Sequence, residues 1–248
     1  MNEFKFELEP GKKINNKMEY IEKNPIISVI VPFYNSKKYI EQTIRSILNQ
    51  TFPYYEVLII DDGSKDKESL EKLERVKKLD KRIKVFHKNN EGLAATRDFG
   101  AAKSSESCEY LMFIDDDDLI EPTFLECAYW TLETNKDAAW AYSDSIGFEG
   151  QEYLWNKYFD SEKLKKVNEL ISQSLVRKSD FKLVRGYELR EKAVNEDWNF
   201  WLKLISKNKR PVHMSFYGQW YRRKSIGELQ RSKDNRKRSL EIINQTAS

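Results

Sequence analysis

Four carboxylates stand in a row at Asp115-Asp116-Asp117-Asp118. Like charges at that density repel, so a folded chain that keeps them together needs something to offset the repulsion. A hard divalent cation does so, because Mg²⁺ or Mn²⁺ takes carboxylate oxygens and bridges them to phosphate. Read alone, the tetrad is equally well a solvated acidic loop. The apolar run in front of it, Tyr110-Leu111-Met112-Phe113-Ile114, reads as a short buried strand, and Pro122 leads a helical segment behind it. Acids at the carboxyl end of a parallel strand sit where open α/β sheets bind ligands, which favours a metal site on Asp115 and Asp117.

Two other apolar runs end in polar residues. Ile26 to Val31 is followed by Pro32, Tyr34 and Asn35, and Val57 to Ile60 by Asp61-Asp62-Gly63-Ser64. Tyr34 can stack on a base, and Asp62 can accept from a base N–H or a ribose hydroxyl. Taken singly, Tyr34 is an edge aromatic and Asp-Asp-Gly-Ser is good turn chemistry. Three such ends, about 30 to 55 residues apart, converge if the sheet is parallel. Arg97, on the helical segment after Gly92, is either a surface cation or a contact for a diphosphate. Further on, Asn195-Glu196-Asp197-Trp198 opens a helix. Asp197 there is an ordinary first-turn acid or a general base, which must come within about 2.6–3.2 Å of an acceptor hydroxyl. Trp198 and Trp201 read as core before they read as a sugar platform.

The elements that must position these residues follow a regular order. Buried strands are expected at 26–31, 57–60, 83–86 and 110–114, with helices at 38–50, 69–79, 93–103 and 123–135 between and after them. This alternation predicts βαβ units and a mostly parallel sheet with helices on both faces. After Asn135 the pattern becomes mixed. Strands are expected at 138–148, 170–176 and 212–217, an irregular aromatic stretch at 153–159, and a helix at 197–207. No G-x-G-x-x-G follows the first strand and no G-x-x-x-x-G-K-S/T occurs, which argues against a dinucleotide-dependent dehydrogenase and a P-loop NTPase.

Lys and Arg number 43 against 40 Asp and Glu, a balance that does not suggest a nucleic-acid binder. The basic excess is local: eight Lys or Arg fall between Arg222 and Arg238, suited to a phosphate-rich ligand or an anionic membrane surface, or simply to a solvated helix. Cys108 and Cys127 imply no disulfide framework and fit a reduced, cytoplasmic setting, extended to the inner face of a membrane if the basic stretch docks there. Residues 1–24 lack the apolar core of a signal peptide, and no apolar run is long enough to span a bilayer.

The combined pattern resembles the family 2 glycosyltransferases, with their GT-A-type fold. The matching text is Ser28-Val29-Ile30-Val31-Pro32-Phe33-Tyr34-Asn35, Ser46-Ile47-Leu48-Asn49-Gln50-Thr51, Glu56-Val57-Leu58-Ile59-Ile60-Asp61-Asp62-Gly63-Ser64, Asn90-Glu91-Gly92-Leu93-Ala94-Ala95-Thr96-Arg97-Asp98 and Ile114-Asp115-Asp116-Asp117-Asp118, with Glu196-Asp197-Trp198-Asn199-Phe200-Trp201-Leu202 similar to the family's Glu-Asp motif. The resemblance covers roughly residues 26–224. It implies inverting transfer of a hexosyl or N-acetylhexosaminyl group from a nucleoside-diphosphate sugar, in first place a UDP-sugar, to a hydroxyl of a glycan or lipid-linked acceptor. Pro32, Tyr34 and Asp62 would then surround base and ribose, Arg97 and Asp116 would position the nucleotide, Asp117 aided by Asp115 would hold Mn²⁺ or Mg²⁺, and Asp197 would be the base.

On this reading residues 1–24 are a polar leader or linker. Residues 25–224 form the transferase domain, with 25–120 its nucleotide-sugar half and 121–224 its acceptor half, and 225–248 are a basic helical tail. Two features depart from the family's pattern: Tyr221-Arg222-Arg223 is followed by Lys224 where many members have His, and Arg185-Gly186-Tyr187 stands in place of Gly-Gly before an aromatic. A nucleotidyltransferase, or a non-catalytic nucleotide- or glycan-binding module of the same fold, is the alternative.

Overall fold

Residues 24–187 and 195–223 are described in the computed structural model. Their elements run β1 (Ile27–Phe33), α1 (Ile40–Leu48), β2 (Tyr55–Asp61), α2 (Lys67–Lys77), β3 (Ile83–His87), α3 (Leu93–Lys103), β4 (Tyr110–Phe113), β5 (Leu119–Ile120), α4 (Phe124–Thr134), β6 (Ala138–Glu149), β7 (Tyr153–Trp155), α5 (Ser161–Leu164), β8 (Leu175–Arg177), α6 (Lys178–Leu183), α7 (Glu196–Ser206) and β9 (Arg210–Arg223). The strands form one sheet in the order β3-β2-β1-β4-β8-β6-β9-β5, with β7 against β6. The first four pair in parallel. Beyond them β8 is antiparallel to β4 and β6, β6 and β9 run parallel, and β5 closes antiparallel on β9.

The parallel half forms for the reason its sequence suggests. β1 and β2 are buried along their whole lengths, so both faces of each strand are mainly apolar, and the buried Ser28 and Glu56 pair with each other at 2.7 Å. Alternate residues feed opposite layers. Val29, Val31, Val57 and Ile59 pack with Ile40, Ile44 and Ile47 of α1, Leu73 and Val76 of α2, and Phe124 and Leu132 of α4. Ile30, Leu58 and Ile60 pack on the other side with Ala94 and Ala101 of α3 and, further along, Trp198, Trp201 and Leu204 of α7. The expected α/β class and helices on both faces therefore hold.

Several boundaries differ. α2 begins at Lys67 rather than Ser69 because Asp66 caps it, its Oδ2 accepting from the Ser69 amide at 3.0 Å. β8 begins at Leu175 rather than Leu170, since a tight turn brings the Ser174 N–H to the Ser172 carbonyl at 2.8 Å. β9 runs to Arg223, past the expected end at Tyr217. Gln219 (0% exposed) and Arg222 (7%) are polar residues buried inside it, and they interrupt the apolar pattern that marks a strand. β5, β7, α5 and α6 are too short to leave a period. The polar leader through residue 23, Lys224 and the basic stretch 225–248 lie outside the described residues. Among those described, no helix is long and apolar enough to cross a membrane.

Gly100 sits where α3 crosses β1 and β2. A Cβ there would lie 2.4 Å from Ile30 Cγ2 and 3.1 Å from Ile60 Cγ1. Gly100→Ala should therefore destabilise the domain by about 1–3 kcal/mol through overpacking, read as a lower urea midpoint. A midpoint equal to that of the parent would show that the helix can shift outward without loss.

Candidate functional site

The sheet order reverses at β1: the chain steps outward through β2 and β3, then returns to place β4 on the other side of β1. Ligands of open α/β sheets bind at such a switch point, beyond the carboxyl ends of the strands. Pro32 is buried as the penultimate residue of β1, and Tyr34, just past its end, is 51% exposed. Asn35 takes a left-handed backbone (φ 51°). Its Oδ1 accepts from the amides of Lys65 and Asp66, which ties the end of β1 to the loop after β2. Asp62 is 5% exposed and already accepts three hydrogen bonds, from Lys88 Nζ at 2.7 Å and the amides of Glu91 at 3.0 Å and Gly92 at 2.9 Å. Burial opposes its charge, but these donors outweigh it and hold the carboxyl below its ordinary range. Against the described donors, one of the four lone-pair positions on that carboxylate remains, on Oδ2.

Arg97 is placed differently from a cation facing a diphosphate. It is 1% exposed, with one terminal nitrogen on Asp115 Oδ1 at 2.6 Å and the other on Glu196 Oε1 at 2.5 Å. Burial works against its charge, yet Asp115, Tyr187 and Glu196 together raise its pKa well above the usual value. The guanidinium lies over the Tyr187 ring, 5.3 Å from its centre. Arg97 thus joins the carboxyl end of β4 to the N-terminus of α7 and brings the acidic run and the Glu196-Asp197 pair together across 81 residues of sequence.

Asp197 lies in the first turn of α7, behind Asn195, whose left-handed φ of 68° starts the helix at Glu196. Its Oδ1 accepts from the Trp198 amide at 2.7 Å and from Asn168 Nδ2 at 3.2 Å. Burial first, and the adjacent Glu196 charge second, push its carboxyl up to about 7, against the opposing pull of Arg97 and the two donors. Trp198 and Trp201 are core, as expected: Trp198 Nε1 donates to the Leu164 carbonyl at 2.6 Å, and Trp201 stacks on Trp140 at 5.2 Å between ring centres.

Asp115, Asp116 and Asp117 are half-buried at the loop after β4, and Asp118 is 2% exposed. Asp118 anchors the loop, accepting from the Arg222 amide at 2.8 Å and from Gln173 Nε2. Its own burial, then the charges of Asp117 and Asp115, push its carboxyl well above the ordinary range. Arg222 completes the anchor. Its Nε donates to the Asp117 carbonyl at 2.7 Å, its terminal nitrogens reach Gln42 and Glu149, and its guanidinium lies 3.9 Å from the Tyr39 ring centre. This arginine, read in the sequence as part of a basic patch, is a buried tie.

Among the described residues no group of three or more His, Cys, Asp or Glu is placed to hold a metal. Asp115 and Asp117 offer two carboxylates whose charges already raise the pKa of a third. That donor set fits a cation held by one or two carboxylates and completed by phosphate oxygens and water, which is the usual manner of Mg²⁺.

The sequence reading gave no site role to Glu196, Asp118, Asn168 or Tyr221. The Tyr221 phenol is half-buried on β9, and burial, followed by the charges of Asp118 and Asp115, raises its pKa, with Asp197 adding to the effect. Glu196 and Asp118 carried a local signal, in the Glu-Asp pairing and the acidic run; Asn168 and Tyr221 are brought in by tertiary packing. His213 Nε2, on β9, lies 2.9 Å from Asp144 Oδ1 of β6.

The model of glycosyl transferase family 2 matches residues 28–229. An uncharacterized glycosyltransferase of Haemophilus influenzae is 31% identical over 226 residues, which are 89% of this chain and 87% of that protein. One of Rickettsia bellii is 42% identical over 121 residues, 49% of this chain, and the match spans only 17% of the relative's length. Among solved structures, S. aureus TarS 1–349 in complex with UDP-GlcNAc superposes with a TM-score of 0.66 at 22% identity, over 80% of this chain and 59% of that one. GalNAc-T7 with UDP, GalNAc and Mn²⁺ gives 0.64 at 17% identity, over 81% and 44%. The chain belongs to glycosyl transferase family 2 and has its GT-A fold.

Replacing Arg97 with Met should lower stability by about 3 kcal/mol, the low end for a broken buried pair because the Asp115 side chain is 35% exposed. Urea unfolding measures this. An unchanged midpoint would mean that Asp115 and Glu196 tolerate each other's charge without the guanidinium.

Proposed function

We propose that this domain transfers a sugar, with inversion, from a nucleoside-diphosphate sugar to a hydroxyl of a glycan or lipid-linked acceptor, with Asp197 as the base. The observation that carries the reading is the Arg97 bridge, which sets the acidic loop and the first turn of α7 against one another. One side then offers carboxylates for a metal-bound diphosphate and the other a carboxylate whose pKa of about 7 suits proton abstraction near neutrality. UDP is the favoured nucleotide, since UDP or UDP-GlcNAc occupies the fold neighbours.

Exposed Tyr34 would stack on the base at the end of β1, with Pro32 holding the strand end behind it. The remaining acceptor position of Asp62 would take a base or ribose donor, and Asp116 would help orient the nucleotide. Asp115 and Asp117 would hold Mn²⁺ or Mg²⁺, which when bound neutralises charge developing on the leaving diphosphate. Arg97 acts at one remove, by orienting Asp115 and Glu196. Asp197 takes the proton of the acceptor hydroxyl. The freed oxygen bonds to the anomeric carbon from the face opposite the diphosphate, and the bond from that carbon to the diphosphate oxygen breaks. Both carboxylate–hydroxyl contact and in-line attack depend on placement rather than on covalent catalysis.

A panel of nucleotide-sugars, each with and without Mn²⁺, scored for release of nucleoside diphosphate in the presence of candidate acceptors, tests the reading; nucleotide binding with no release from any donor would count against it. Asp197→Asn should lower turnover by about 10²–10⁴-fold while UDP binding stays within error, and in the parent kcat/KM should fall as pH drops below about 7, where the base becomes protonated. Turnover retained in D197N removes Asp197 as the base. Asp117→Ala should weaken UDP binding at least about tenfold in Mn²⁺ and leave metal-free binding unchanged, by calorimetry; equal affinity in Mn²⁺ would exclude Asp117 as a ligand.

A further inference from the structure

Asn168 belongs to the stretch between α5 and β8 and meets α7 only through folding. Its side-chain amide is held at both ends. The Leu170 amide donates to Asn168 Oδ1 at 3.2 Å, and Asn168 Nδ2 donates to Asp197 Oδ1 at 3.2 Å. A backbone N–H can only donate, so the atom facing Leu170 must be the oxygen, and the group facing Asp197 must be the NH₂. The Asx-type turn therefore fixes which end of the amide the carboxylate meets.

Both donors to Asp197, the Trp198 amide and Asn168, converge on Oδ1. No described side chain or amide donates to Oδ2. Among the described residues one oxygen is thus pinned by two donors, and the other faces none of them. We propose that Asn168 is a positioning residue for Asp197, locking the rotation of its carboxylate and favouring its ionised form. This rests on the assignment of Asp197 as the base.

The charges around Asp197 make such a donor consequential. Glu196, on its own helix, opposes ionisation, and Arg97 of α3 favours it. The phenols of Tyr187 and Tyr221 face it from the turn after α6 and from β9. Beside Asn168, Glu169 pairs with Lys163 at 2.6 Å. Among the described residues Asn168 is the one neutral side-chain donor to the carboxylate. A donor to the charged form lowers a pKa, so its removal must raise it.

The test compares Asn168→Ala and the isosteric Asn168→Asp with the parent and with D197N, in the full chain. N168A should move the acid limb of kcat/KM towards higher pH by about one unit, the worth of one hydrogen bond to a charged group. It should lower kcat near pH 7 and leave KM for the donor sugar unchanged. N168D, which sets a second carboxylate against Asp197, should move the limb further. Carboxyl ¹³C NMR of Asp197 reads the same shift without reference to activity, and covers a variant that folds but does not turn over. If N168A does not fold, N168D decides. An acid limb and an Asp197 titration that stay in place in the folded variants overturn the proposal. A dead D197N with unmoved N168 variants sinks Asn168 alone. Turnover in D197N sinks the base assignment, and the NMR titration then still decides whether Asn168 governs the ionisation of Asp197.

Discussion

The guanidinium of Arg97 is the interaction on which the rest of the site depends. Asp115 and Glu196 come from elements far apart in sequence, one after β4 and one at the start of α7, and both meet the same guanidinium. Without a cation between them, the approach of α7 to the sheet would press like charges together in a poorly solvated place. With it, two elements far apart in sequence are held at fixed distance by charge-assisted hydrogen bonds, which are stronger and more directional than neutral ones. A buried ion pair of this kind adds less to net stability than its Coulomb energy suggests. Its effect lies in specifying one arrangement: only where both carboxylates reach Arg97 is the buried charge compensated.

The acidic loop is arranged on the same principle. Asp118 turns inward to accept from the Arg222 amide and Gln173, while the Arg222 side chain returns to the Asp117 carbonyl and extends to Gln42 on α1 and to Glu149 at the end of β6. Helix α1, strands β6 and β9 and the stretch before β8 thus converge behind four consecutive acids. The outward carboxylates, Asp115 to Asp117, inherit a rigid backbone they could not maintain themselves, because mutual repulsion favours an extended, solvated run. Lys157, buried against Gln219 at 2.8 Å and pushed down to about 7 by that burial, sits in the same polar layer beneath β6 and β9. The second half of the sheet is therefore held by polar contacts as well as apolar ones, in contrast to the mainly apolar parallel half, whose strands bury Ser28 and Glu56 as a hydrogen-bonded pair.

That contrast accounts for what was legible in the chain and what was not. β1, β2 and β4 are covered on both faces, so nearly every position is apolar, the buried Ser28 and Glu56 being hydrogen-bonded to each other, and a run of Val, Ile and Leu announces the strands. β9 carries Gln219 and Arg222 inward among aromatics, so its pattern breaks halfway and its last six residues look like loop. Likewise Ser172, Gln173 and Ser174 are buried polar residues, which a hydropathy pattern assigns to strand or to surface with equal ease.

The amino-acid sequence by itself determined the parallel half, the helices on both faces, and the placing of Tyr34, Asp62 and Asp115 to Asp117 at strand ends. It did so because these depend on local period and on the rule that ligands meet a parallel sheet at its carboxyl edge. It also marked Asp197 as the acid of a first helical turn. Only the tertiary structure decided what each charge does. Arg97 and Arg222 became buried ties rather than free cations, Asp62 became largely occupied by Lys88 and the loop before α3, and Asp197 acquired its raised pKa and its partner Asn168. The physical reason is that hydropathy and helix period are properties of neighbours in the chain, whereas the fate of a charge depends on desolvation and on partners tens of residues away, which no local pattern encodes.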